Sequence, residues 1–185
     1  AGRELTRDGC TYADLDSDDS TNPCITFRRT AMDEIAREAR KRPVRVVIAL
    51  RWNAVVRDGR FHSPAMQALR ETLHQLEQQR IPVLLIGPVP NPGIVVPQCL
   101  YLMGERICRV ARAPVEAEYA VIHTAFDGSG PPMADVRDFF CDASSCRMQR
   151  DGVTLYVDSN HLSRSGAQAL APTLEPALDR LTGLR

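Results

Sequence analysis

The run VRVVIALRW, residues 44–52, is short, β-branched and almost wholly apolar through Leu50. Such a run reads as a strand buried on both faces, which belongs in a parallel sheet with helices above and below. Immediately before it, ITFRRTAMDEIAREARKR (25–42) puts Met32, Ile35, Ala36 and Ala39 at helical spacing, and Pro43 ends the pattern. Immediately after it, Ser63 and Pro64 form an N-cap and first-turn pair for a helix striped by Met66, Leu69, Leu73 and Leu76. IPVLLIG (81–87) is a second buried strand, running into the turn-rich GPVPNPG.

The alternation continues towards the C-terminus. A helix is expected from Val115 to Phe126, with Val115, Tyr119, Ile122 and Phe126 on one face, and ADVRDFF (134–140) reads as a strand. CRMQ and VTLYV flank Arg150-Asp151-Gly152, a tight-hairpin signal. A last helix follows His161, with Leu170, Leu174, Leu178 and Leu181 facing the core and Pro172 and Pro176 expected to kink it. The order predicts one α/β domain over residues 1–185, a three-layer α/β/α sandwich with a mainly parallel sheet.

Composition excludes several classes. Lys+Arg equals Asp+Glu at 23 each, so net charge does not draw the chain to nucleic acid or an anionic surface. The basic cluster REARKR (37–42) reads as the solvated C-terminal end of a helix. No apolar run approaches the roughly 20 residues that span a bilayer. The sequence opens without Met or a signal-peptide pattern, as a mature product or a piece of something longer does. Its six cysteines fall as neighbours, Cys10 and Cys24, Cys99 and Cys108, Cys141 and Cys146, each pair bracketing turn-rich sequence. Local disulfides of that kind imply an oxidising compartment, although sequence does not choose among the pairings and buried thiols remain an alternative. Neither Cys-x-x-Cys nor clustered histidines supports a metal site.

In parallel sheets ligands bind beyond the carboxyl ends of the strands. Three segments are expected there: Arg51-Trp52-Asn53, the Pro-rich loop after residue 87, and Asp158-Ser-Asn-His161 after VTLYV. Asp158 and His161 are the candidate catalytic pair. The carboxylate would hold one imidazole nitrogen while the other serves as general base. In the plainer alternative Asp158 ends a strand, His161 precedes a helix, and Ser163 or Ser165 is the cap. His62, His74 and His123 carry no assigned function.

GVTLYVDSNHLSRSGAQAL (152–170) resembles the last block of SGNH-type serine esterases. It is most similar to the extracytoplasmic SGNH domains fused to membrane O-acyltransferases of bacterial polysaccharides. Those domains show a cysteine pair and then Tyr-x-Asp-x-x-His-Leu-Ser-x-x-Gly-Ala. Here the matching residues are Cys141, Cys146, Tyr156, Asp158, His161, Leu162, Ser163, Gly166 and Ala167. ALRW (49–52), the early cysteine pair and the Pro-rich loop before Cys99 extend the likeness along nearly the whole chain.

The resemblance implies O-acyl transfer, acetyl above all, to a cell-envelope polysaccharide through a Ser-His-Asp mechanism needing no cofactor. It also implies a membrane acyltransferase domain in the same parent protein and a location on the periplasmic or extracellular face of the inner membrane. The alternative is an SGNH-like module that lost catalysis and binds glycan or a partner. Two departures from the family matter. The Gly-Asp-Ser nucleophile turn has no counterpart, since DLDSDDS (14–20) reads as a surface loop. The nucleophile and central strand are therefore expected upstream of residue 1. The Gly-x-Asn-Asp oxyanion motif is also absent, which leaves Arg51, Trp52 and Asn53 as candidate donors. Asn53 reads equally well as a turn residue and Trp52 as a packing anchor.

Overall fold

The computed structural model describes residues 2–7, 10, 21–57, 60–61, 63–126 and 130–183. In chain order the elements are α1 (Pro23–Ala39), β1 (Val46–Ala49), α2 (Trp52–Val55), β2 (Val56–Arg57), β3 (Arg60–Phe61), α3 (Ser63–Gln78) and β4 (Val83–Ile86). They continue as α4 (Val96–Met103), β5 (Arg109–Ala111), α5 (Arg112–Ala125), β6 (Met133–Ala134) and α6 (Arg137–Phe140). The chain closes with β7 (Ser145–Arg147), β8 (Gln149–Arg150), β9 (Val153–Thr154) and α7 (Arg164–Thr182).

The central sheet has the order β1-β4-β6 and is parallel throughout. β4 is buried on both faces, as its unbroken apolar sequence requires. Leu84 and Ile86 join one core with Val96, Leu170 and Ala177, beneath α4 and α7. Val83 and Leu85 join the other with Leu69, Leu76 and Ile122, beneath α3 and α5, with Met32 and Ile35 of α1 packed against it. Most residues of the helical stripes read from sequence enter these two cores, Ala36, Met66 and Tyr119 excepted. Each fully buried leucine among them contributes about 1.5–3 kcal/mol. The protein is thus an α/β/α sandwich.

β1 departs from the expected burial on both faces. Val46 and Ile48 pack towards α1 and α3, but Val47, in register with Leu84 on the α7 side, is 45% exposed. Among the described residues β1 pairs with β4 alone, so its other edge is open.

Residues 134–140 are not one strand. β6 stops at Ala134, the Asp135 carboxylate accepts the Arg137 N–H, and α6 follows. A strand would send Phe139 and Phe140 to opposite faces, whereas the helical turn buries both in the same core.

VTLYV likewise adds no strand to the parallel sheet. Val153 and Thr154 pair with β8 across a turn in which Asp151 and Gly152 both have positive φ, 49° and 79°. The Asp-Gly hairpin is therefore as read. Leu155 and Tyr156 are fully buried beyond it. α7 runs continuously through Pro172 and Pro176, both at exposed positions.

All three neighbouring cysteine pairs are disulfides: Cys10–Cys24, Cys99–Cys108 and Cys141–Cys146. The acidic 14–20 run and His62 lie outside the described residues.

Candidate active site

Buried Tyr156 anchors the turn that follows it by donating its hydroxyl to the Pro90 carbonyl, in the loop leaving β4. Gly93 N–H donates to the Ser159 carbonyl and Val96 N–H to the Asp158 carbonyl, stitching the two loops together. Within the turn Val157 N–H donates to the His161 carbonyl, and Tyr156 bridges Leu162. The 157–161 turn is therefore held at the carboxyl end of β4 although no sheet strand leads into it.

α7 fixes its far side. Ser163 is the N-cap, its hydroxyl accepting the Gly166 N–H at 2.8 Å and donating to the Thr154 carbonyl at 2.6 Å. Gly166 is required for close approach, because a Cβ there would stand 2.3 Å from the Leu155 carbonyl oxygen.

Inside the turn the Asp158 carboxylate is fully employed. One oxygen accepts the backbone N–H groups of Asn160 (2.8 Å) and His161 (2.7 Å). The other lies 2.7 Å from His161 Nδ1. Those two backbone donors, then the imidazole, hold the carboxyl at about 2, so Asp158 is ionised throughout the neutral range. With Nδ1–H donating to Asp158, the neutral ring carries its lone pair on Nε2, the state a general base needs. The His161 side chain is 70% exposed.

The Arg51–Asn53 segment reaches the same end of the sheet by a different anchor. Trp52, 2% exposed, donates its indole N–H to the Ile86 carbonyl, the last residue of β4, at 2.7 Å. The indole is thus a packing anchor and not free to meet a substrate. Arg51 is exposed, and its Nε donates to Asn53 Oδ1 at 3.1 Å, so the two polar side chains hold each other. The three expected segments do converge at one edge.

No serine hydroxyl among the described residues bonds the His161 ring. Ser163 is committed to its cap, Ser144 and Ser145 hydroxyls turn towards Asp142, and Ser159 accepts from Asn160 Nδ2. A cleft of about 1000 Å3 opens elsewhere, lined by Arg70, His74, Arg80, Phe126 and Arg180 among others. It surrounds the amino end of β4, at residues 81–84, and among the described residues that line it none is a nucleophile beside its histidine. Its size does not make it the reaction site. Among the described residues no three His, Cys, Asp or Glu side chains gather as a metal site, and no helix is long and apolar enough to cross a membrane.

A family model described as "SGNH domain (fused to AT3 domains)" matches residues 1–176. The chain belongs to this family. No curated protein and no solved structure matches it. The SGNH match spans all three disulfides and the Asp158–His161 turn together. Sequence reasoning missed α4 and the β5–β7 pairing of this SGNH domain, as it did α2 and the β2–β3 pairing. A helix beginning Val96-Pro97 was legible from a proline at its second position, but the surrounding prolines and cysteines masked it.

Proposed function

We propose that this SGNH domain carries the acid–base half of a serine acyltransferase, moving an acyl group, acetyl above all, onto a hydroxyl of a cell-envelope polysaccharide. The observation that carries the reading is the 2.7 Å contact between Asp158 and His161 Nδ1, which leaves Nε2 outward at the carboxyl end of the sheet. His161 Nε2 takes the proton from a serine hydroxyl as that oxygen attacks the donor's acyl carbon. Asp158 stabilises the imidazolium so formed. The same proton then goes to the leaving group. In the second half His161 deprotonates the sugar hydroxyl as it attacks the serine ester, and returns that proton to the departing serine oxygen. Water in place of the sugar makes the reaction an ester hydrolysis. Exposed Arg51 and half-buried Asn53 are the polar groups on the neighbouring segment that fit the developing oxyanion, each such donor being worth about 3 kcal/mol.

The serine arrives, in this proposal, on a further parallel strand laid along the open edge of β1. An apolar edge strand with one uncovered face wants both a partner strand and a covering helix. A strand in that place delivers its carboxyl end to the same edge as His161. The three disulfides fit an extracytoplasmic compartment, and fusion to an AT3 domain supplies the membrane acyltransferase in the parent protein.

A fluorophosphonate probe on the parent protein tests this. The label is expected on one serine outside residues 1–185, and His161→Ala is expected to abolish it. Labelling that persists in His161→Ala refutes the assigned base. A labelled serine within the chain refutes the added strand. An unlabelled parent protein favours the second reading, a glycan- or partner-binding module, for which the high exposure of His161 is the supporting observation.

A further inference from the structure

The exposed apolar side chains of this protein are concentrated in one region. Among the described residues, Tyr101 is 89% exposed, Leu102 67%, Met103 58% and Ile107 61%. They lie on α4 and on the return loop that the Cys99–Cys108 disulfide closes against it. Ile94 and Val95, exposed in the loop entering α4, continue the surface towards the catalytic turn. Val157, also exposed, precedes Asp158, whose carbonyl accepts the Val96 N–H next to Val95.

The inner face of α4 is apolar as well, with Val96 fully buried and Leu100 packed against the core. Gln98 is the one polar side chain of α4, and a helix so nearly apolar on its outer as well as its inner side is normally covered on both. The only charges between Met103 and Cys108 are Glu105 and Arg106, which cancel. The shape narrows the choice of cover. Tyr101 stands almost clear of its neighbours, so this surface projects into a partner and does not receive one. A phenol, an arginine and several aliphatic side chains on a projecting, covalently closed loop suit the boundary between lipid headgroups and acyl chains. Fusion to an AT3 membrane acyltransferase domain keeps such a boundary within reach of the domain.

We propose that α4 and its disulfide-closed loop dock this domain on the lipid bilayer, inserting Tyr101, Leu102, Met103 and Ile107. Docking through this surface turns the Asp158–His161 turn towards the membrane plane, since Val96 at the start of α4 bonds directly to Asp158. The inference goes beyond the catalytic reading, and vesicle binding by the chain does not depend on a nucleophile.

Cosedimentation of the chain with phosphatidylethanolamine–phosphatidylglycerol vesicles tests it, with circular dichroism to verify folding. The chain is expected to bind. Tyr101→Ser combined with Ile107→Ser is expected to weaken partition by about tenfold or more, since both side chains are exposed and their loss removes no core packing. In Tyr101→Trp, emission is expected to shift to the blue on adding vesicles, against a constant background from buried Trp52. Absence of sedimentation overturns the proposal, as does sedimentation unchanged in the double variant. Sedimentation lost in Val47→Lys but kept in the double variant assigns membrane contact to the sheet edge and also overturns it. If vesicles never bind but the double substitution dissolves a dimer seen by light scattering, the surface is a protein contact.

Discussion

Asp158 owes its low pKa to two backbone N–H groups before it owes anything to His161. The carboxyl is held at about 2, below its ordinary value near 4, so its contribution to the turn is complete above about pH 4 and is lost as pH falls through 2. The amide NMR shifts of Asn160 and His161 are expected to titrate together with a midpoint near 2. A midpoint near 4 would mean that these donors do not hold the carboxylate. Asp158→Asn is expected to lower acyl transfer by the parent protein by about 10^3–10^4-fold, because the amide no longer enforces the imidazole tautomer. Glu118 shows the opposite sign. Burial raises its carboxyl to about 7, and its Oε1 is buried without a hydrogen-bond partner. The native state therefore binds a proton more readily than the unfolded one between about pH 4.5 and 7, and stability falls across that window. Glu118→Gln is expected to stabilise the fold above pH 7 by about 1–2 kcal/mol, the remaining solvent access reducing the effect, and to do little at pH 4. Urea titrations at the two pH values check this. Asp158 and His161 were legible in the sequence because they lie three residues apart and one turn brings them together. Trp52 was not, since only the partner of its indole N–H decides between anchor and donor.

At the scale of elements, the decisive contact is the seating of the first turn of α7 on Leu155. Only glycine at position 166 allows it, and the Ser163 cap, the Thr154 carbonyl and the Asp158–His161 turn all depend on that seating. Gly166→Ala is expected to cost about 2–4 kcal/mol, because the neighbouring atoms are backbone and cannot turn aside. Chemical denaturation measures the loss. A variant as stable as the parent chain would show that α7 tilts away freely. The elements themselves were legible wherever the apolar period was long: α1, α3, α5 and α7 stand close to their expected places. The short ones were not, and two of them were misread. Residues 134–140 divide into a strand and a helical turn because Asp135 satisfies the Arg137 N–H and both phenylalanines enter one core. VTLYV is apolar enough for a sheet strand, yet its hairpin with Gln149–Arg150 leaves it outside the parallel sheet.

For the whole molecule, the open edge of β1 is the feature that local structure does not explain. Val47 lies exposed on a wholly apolar strand, with neither a charge nor a proline among Val46–Ala49. Isolated chains are expected to self-associate through this edge, and Val47→Lys to keep them monomeric, as light scattering over a concentration series would show. Unchanged association in Val47→Lys would move the contact elsewhere. What the sequence by itself determined is the class of fold and the family: buried apolar runs at strand length, helical stripes between them, and a local Asp-x-x-His block after a cysteine pair. These are short-range patterns, and the chain carries them wherever it folds. Only the tertiary structure decided that the turn at Asp158 is held by loops instead of a sheet strand. It also decided that Trp52 closes the end of β4, and that β1 and the outer side of α4 stay uncovered. Those outcomes depend on which distant segments meet, and no local period records that.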